Sequence, residues 1–214
     1  DTFPLGGISK SLLALFNEIE NEYEIDFLLM KKEGLFVPLI PKSVNVLTDV
    51  LEPEFRNPHP RKIFKCFKSL TFKRWLSWCG FSMCCTISKL TGGLGKMVCT
   101  MDEYIGKHSR SINKHYDAAI AYQGGRCIYY LVENVDADVK IGYVHNDYSI
   151  SEVDCMMKPS DMKYFPQLDS IVTISLECVA SLYREFPKLK KHCVVVENIC
   201  SPKMIKAMAE SGNT

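Results

Sequence analysis

Four short, almost uninterrupted apolar runs recur through the second half of this 214-residue sequence: Asp117 to Tyr122, Val139 to Val144, Ile171 to Ile174 and Val194 to Val196. Strands covered on both faces have this character, because neither side of the pleat needs polar residues. Helical patterns lie around Cys127 to Glu133, Leu176 to Phe186 and Pro202 to Ala209. Strand and helix therefore alternate, and that alternation predicts an α/β fold: a Rossmann-like, doubly wound, mostly parallel sheet with helices on both faces.

The first half is less regular. After Gly6-Gly7, Ser9 can cap a helix whose apolar positions Leu12, Leu13, Phe16, Ile19 and Tyr23 recur at helical spacing. Ile25 to Met30 and Val44 to Leu47 read as strands, and Pro53 to Pro60 as a proline-punctuated loop. Lys62 to Ser88 and Met97 to His115 mix apolar and basic residues without strand alternation. They are expected to be helices, separated by Gly92-Gly93-Leu94-Gly95. The domain reading is one unit over 1–200, followed by a linking helix over 201–214.

A hydrophobic content of 47% supplies one sizeable core. Basic and acidic residues nearly cancel, 26 against 25, so charge gives no reason to expect a nucleic-acid partner. The distribution is uneven, however: Arg56 to Lys114 holds twelve Lys or Arg against Asp102 and Glu103 alone. None of the ten cysteines forms a C-x-x-C pair, and Cys84-Cys85 are adjacent. That suits neither zinc nor a disulfide framework, and the expectation is reduced, mostly buried thiols in a cytoplasmic protein. No apolar run approaches the roughly 18 to 20 residues that span a bilayer, and Asp1-Thr2-Phe3-Pro4 has no signal-peptide character.

Ligands of open parallel sheets bind beyond the carboxyl ends of the strands, which directs attention to the residues just after each run. They are Gln123-Gly124-Gly125, His145-Asn146-Asp147, Ser175 and Glu197-Asn198, with Gly6-Gly7 opening the first helix. A glycine pair at a helix start admits a phosphate or sugar oxygen to the backbone amides, and it serves equally as a plain turn. It is not the G-x-G-x-x-G of dinucleotide binding. An imidazole at position 145 can donate to a sugar hydroxyl or act as a base near neutral pH, and it can equally be a satisfied structural group. Asp147 can orient His145, bind hydroxyls or cap the next turn. G-x-S-x-G, P-loop and H-E-x-x-H motifs are absent, which removes common hydrolase, nucleotidase and zinc-protease readings, and no cofactor or metal is called for.

Three segments carry a resemblance: Gly6-Gly7-Ile8-Ser9-Lys10-Ser11-Leu12, Tyr116-Asp117-Ala118-Ala119-Ile120-Ala121-Tyr122, and Lys140-Ile141-Gly142-Tyr143-Val144-His145-Asn146-Asp147-Tyr148. With Asp169 to Ser175 and Val195 to Ile199 they resemble bacterial family 4 retaining glycosyltransferases of the GT-B fold. The resemblance spans nearly the whole chain except Pro53 to Lys114. It implies a hexosyltransferase whose amino-terminal domain holds a glycan or lipid-linked acceptor while a second domain holds the nucleotide-sugar donor. Gly6 and Gly7 would then approach the donor diphosphate, and His145 would face the transferred sugar. Gln123, Gly124, Asn146, Asp147 and Ser175 would contact acceptor or sugar. Retention by attack on the face of the departing phosphate, assisted by the diphosphate itself, is likewise what the resemblance implies.

Two features depart from that pattern. No strand precedes Gly6-Gly7, and nothing matches the carboxylate-rich donor motif of the second domain. The expectation is an acceptor half separated from its donor domain and unable to transfer sugar alone. The alternative is a non-catalytic carbohydrate- or membrane-binding module with the same fold. Arg61 to Trp78 interleaves Lys62, Lys65, Lys68, Lys73 and Arg74 with aromatic and aliphatic residues. Such a segment suits an anionic membrane surface, and suits also a helix packed on the sheet with solvated lysines; the resemblance implies that such a surface would be the inner face of the cell membrane, in polysaccharide biosynthesis.

Overall fold

The computed structural model describes residues 6–30, 33–48, 72–189 and 193–199. Two compact units emerge, one from Asp1–Asp49 with Val196–Thr214 and one from Val50–Val195. The expected loop Pro53 to Pro60, the helix Pro202 to Ala209 within the 201–214 linker, and most of the basic segment Arg61 to Trp78 lie outside the described residues.

In the first unit, α1 (Gly7–Ile19) buries Leu12, Leu13, Ala14 and Phe16, the spacing that predicted it. It starts earlier than expected, with Gly6 as N-cap and Ser9 inside the first turn and buried, so Ser9 does not cap it. Strands β1 (Asp26–Leu28) and β2 (Asn45–Leu47) pair in parallel, Asp26 opposite Asn45 and Leu28 opposite Leu47. Phe16 meets Phe27 edge to face, with centroids 5.1 Å apart, and this ties the helix to the strand.

The second unit opens with α2 (Phe72–His108), which is two helical arms rather than one rod. Gly93 stands between them at φ 74°, a left-handed conformation that favours glycine. Ser88 and Thr100 share a 2.8 Å hydrogen bond, whereas twelve residues of straight helix would set them about 18 Å apart. Phe81 against Tyr104, at 4.9 Å, completes the seam of this helical hairpin. The second arm ends at His108 instead of reaching His115, because His115 already begins a strand.

The remainder follows the predicted alternation, with one further helix, α4, between the second and third strands: β3 (His115–Ala121), α3 (Arg126–Asn134), β4 (Asp136–Val144), α4 (Glu152–Tyr164), β5 (Ser170–Thr173), α5 (Leu176–Glu185) and β6 (Cys193–Val195). The four strands form one parallel sheet in the order β3-β4-β5-β6. The protein is thus α/β with parallel strands in two sheets, compatible with a Rossmann-like arrangement. Within these four strands the order never reverses, so right-handed crossovers carry α3, α4 and α5 to the same face. The core agrees: Ala121, Val144 and Ile171 of the sheet pack with Ile128, Tyr129 and Leu131 of α3, Tyr164 of α4 and Leu182 of α5. Ile120, Val139 and Val194 occupy the other face and are exposed.

Among the described residues no helix is long and apolar enough to cross a membrane. Seven cysteines whose side chains are described are free thiols, and of these only Cys99 and Cys178 are buried while Cys84 is exposed, which corrects the expectation of mostly buried thiols.

Candidate functional site

Parallel register brings the ends of β3, β4 and β5 side by side. Ala121 lies opposite Gly142, and Val144 opposite Thr173, so Gln123-Gly124, His145-Asn146-Asp147 and Ser175 all leave the same end of one sheet. Gly6 and Gly7 belong to the first unit, at the start of α1. Gly6 is extended, at φ −172°, and a Cβ at either glycine would meet nothing within 4 Å. The turn by itself does not demand glycine there.

His145 is the group at this crest whose bonding is incomplete. It is 8% exposed, and its Nε2 lies 2.9 Å from the Tyr122 carbonyl oxygen. A carbonyl only accepts, so Nε2 carries the proton and donates it. Burial depresses the imidazole pKa, outweighing that hydrogen bond, so the ring is neutral near pH 7. Nδ1 is then a bare lone pair, and it is buried without a hydrogen-bond partner. An acceptor left in that state costs about 1–3 kcal/mol. The ring is therefore arranged to accept a hydrogen bond from a hydroxyl or amide; with Nε2 committed, donation to a sugar hydroxyl is not what this geometry offers.

Aromatic rings hold the imidazole. Tyr143 stacks on it at 5.3 Å with 23° between planes, Tyr122 lies 5.1 Å away, and the two tyrosines are 4.5 Å apart. The sequence reading passed over both tyrosines. Register was the signal: with Ala121 opposite Gly142, Tyr122, just past the end of β3, comes level with Tyr143, the next-to-last residue of β4.

The other predicted residues have local occupations. Asp147 Oδ1 accepts from the Ser149 amide at 2.9 Å and from Ser181 Oγ at 2.5 Å, so it closes a turn and ties that turn to α5. The Ser181 hydrogen bond is the main reason its carboxyl sits below the usual carboxylate range. Asp147 does not touch His145 through any of these bonds; of its three expected roles it performs the capping one. Ser175 is the N-cap of α5, accepting from the Cys178 amide at 3.3 Å. Asn146 and Gln123 are exposed. Gly124 passes close to the β4 backbone, its Cβ position 4.0 Å from the Tyr143 carbonyl. Gly125, at φ 64°, is the N-cap of α3 and needs glycine for that conformation. Arg126, one residue on, is held by Asp102 of α2, with Nε 2.9 Å from Oδ1.

A groove of about 590 Å³ lies at the opposite end of the sheet, lined by Lys114, His115, Asp136 and Lys140 among others. Ligands of parallel sheets gather at the carboxyl ends, and the bare Nδ1 is also there, so the crest is the candidate site.

Two histidines should make stability depend on pH in opposite senses. His115 is exposed beside Asp136, at 3.1 Å, and Asp138, and the Asp136 hydrogen bond raises its pKa above the ordinary 6.5. Its contribution is complete below pH 6.5 and disappears as pH rises through the elevated value. His145 has a depressed pKa, so below pH 6.5 the unfolded chain takes up a proton that the folded chain refuses. Stability then falls as pH drops from 6.5 towards that lower value. Urea midpoints between pH 5 and pH 8 should show His145→Gln flattening the acid limb and His115→Asn the alkaline limb. An acid limb that survives His145→Gln would mean that the imidazole is not held neutral.

No family model matches this chain, and no curated protein or solved structure matches it either.

Proposed function

We propose that this chain is the acceptor-side domain of a glycosyltransferase that moves a sugar from a nucleotide-sugar donor to a glycan or lipid-linked acceptor. The observation that carries the reading is His145 Nδ1, a buried lone pair without a partner at the carboxyl end of a parallel sheet. Sugars are dense in hydroxyl donors, and a neutral imidazole accepts from one without a charge to desolvate. Tyr122 and Tyr143 stand beside it as ring surfaces of the kind on which the C–H face of a sugar rests. Gly6 and Gly7, at a helix start with open space around both Cβ positions, leave backbone amides approachable by a diphosphate. The motif resemblance described above supports the same assignment.

In this reading His145 binds and orients the sugar, and no proton transfer is required of it, since a departing diphosphate can itself take the acceptor proton. A non-catalytic carbohydrate-binding module is the second reading. It draws on Asp147 and Ser175, whose oxygens are already engaged in the turn and the helix cap.

Saturation-transfer NMR on the 214-residue chain, with nucleotide sugars and short oligosaccharides as probes, tests the site. Binding is expected, and His145→Gln should weaken it about tenfold, the value of one good buried hydrogen bond. Binding of neither class, or binding indifferent to His145→Gln in a folded variant, would refute the assignment. Binding without transfer of radiolabelled sugar once a donor-binding domain is supplied would select the module.

A further inference from the structure

His145 Nδ1 stands in electron-rich surroundings. Its lone pair has no hydrogen-bond partner, the other ring nitrogen is committed to the Tyr122 carbonyl, and the Tyr143 ring stacks on the imidazole with centroids 5.3 Å apart. An aromatic face carries the negative part of the ring's quadrupole. A hydroxyl or amide brings a hydrogen into such a place. A carboxylate or sulfate brings lone pairs against a lone pair, and burial of the imidazole removes the water that would soften the opposition.

Formal charge at the crest offers an anion no compensation. Near pH 7 the imidazole is neutral, and burial pushes the Tyr143 phenol above its ordinary pKa, so that group is neutral too. Two arginines among the described residues stand by the crest, and each has its own carboxylate. Arg126, just after Gly125, is bound to Asp102. Arg184 of α5 donates to Ser149 at 3.4 Å, and its charge acts on Asp147. Asp147, two residues beyond His145, is itself an anion. The crest therefore favours hydrogen-bond donors that carry no negative charge.

We propose that His145 is a specificity-determining residue that makes this site select uncharged, hydroxyl-bearing sugars and reject uronic acids and sulfated sugars. The inference rests on the sugar-binding reading and narrows its substrate class. It concerns the sugar alone, since in that reading a donor diphosphate belongs to the Gly6-Gly7 turn. A neutral sugar places a hydroxyl hydrogen on Nδ1, whereas its acid leaves the lone pair bare and an anion beside it, the opposite of what a buried acceptor requires.

NMR titration of the 214-residue chain near pH 7 with two matched pairs tests it: methyl glucoside against methyl glucuronide, and uridine diphosphate glucose against uridine diphosphate glucuronate. Within each pair everything but the acid group is shared. The neutral member should bind about tenfold or more tightly, the factor of one good buried hydrogen bond. In His145→Gln the side-chain amide can donate as well as accept, so the preference should shrink to about threefold or less, the acidic member gaining relative to the neutral one. Equal or tighter binding of the acidic members by the native chain would overturn the proposal while leaving the sugar-binding reading in place. So would a preference undiminished in folded His145→Gln, which would locate the selection at another residue. Absence of binding by all four probes would overturn the sugar-binding reading, and this inference with it.

Discussion

Replacing Asp161 with Ala is expected to destabilise the second unit by about 3–5 kcal/mol, the sum of leaving two buried hydroxyls without an acceptor and opening a small void. Asp161 lies on α4, 2% exposed, and its two oxygens accept from Tyr129 at 2.8 Å and Tyr148 at 2.7 Å. Those tyrosines come from α3 and from the segment just beyond His145-Asn146-Asp147, so a single carboxylate joins three parts of the chain. Burial and the Asp161 charge both push the Tyr129 phenol pKa upward, which keeps it protonated and donating. Asp161→Asn should cost less, because the amide oxygen still accepts from one tyrosine while its nitrogen can donate to the other. Urea denaturation of both variants checks the ordering. Comparable losses for Asn and Ala would show that the negative charge, rather than the pair of acceptors, is what the site needs.

This cluster also explains what the sequence concealed. Helix α4 was not anticipated, although its neighbours were. Its inward positions are Met157, Ser160, Asp161 and Tyr164, correctly spaced for a helix but half polar, so an apolar-periodicity reading passes over them. Pro159 within the same turn adds a second signal against helix. Strands β3 and β4 begin two and three residues earlier than their apolar runs, where His115, Asp136 and Asp138 carry charge rather than bulk. Strand positions and parallel pairing were legible because continuous Val and Ile runs have few other uses. The crest residues were legible for the same reason: they are whatever follows each run. The state of their side chains was not. Asp147 is committed to Ser181, 34 residues away, and no local pattern predicts that. The bare Nδ1 of His145 depends on where the Tyr122 carbonyl points, which is a consequence of register.

A close approach of two helix backbones yields the second large effect. Gly106, buried on the second arm of α2, faces α3 so closely that a Cβ would stand 2.8 Å from the Tyr129 Cβ and 3.3 Å from the Tyr130 amide nitrogen. Neither neighbour is a flexible tip; both belong to the α3 main chain or its first side-chain carbon. The surrounding bonds depend on that approach: Asn134 Nδ2 donates to the Gly106 carbonyl at 2.5 Å, and Tyr130 donates to the Arg110 carbonyl at 2.7 Å. Gly106→Val must therefore separate the helices and stretch both bonds, at a cost of about 3 kcal/mol. Two other glycines of α2 serve as controls. At Gly95 a Cβ would meet the Met156 sulfur at 2.6 Å, the far part of an adaptable side chain, so Gly95→Ala should be nearly neutral. At Gly80 a Cβ would meet nothing within 4 Å, and Gly80→Ala in a helix should stabilise by about 0.5–1 kcal/mol. Thermal and urea unfolding of the three variants should thus diverge in sign as well as size. If Gly106→Val lowered stability no more than Gly95→Ala does, the close α2–α3 contact would not be what fixes these helices together.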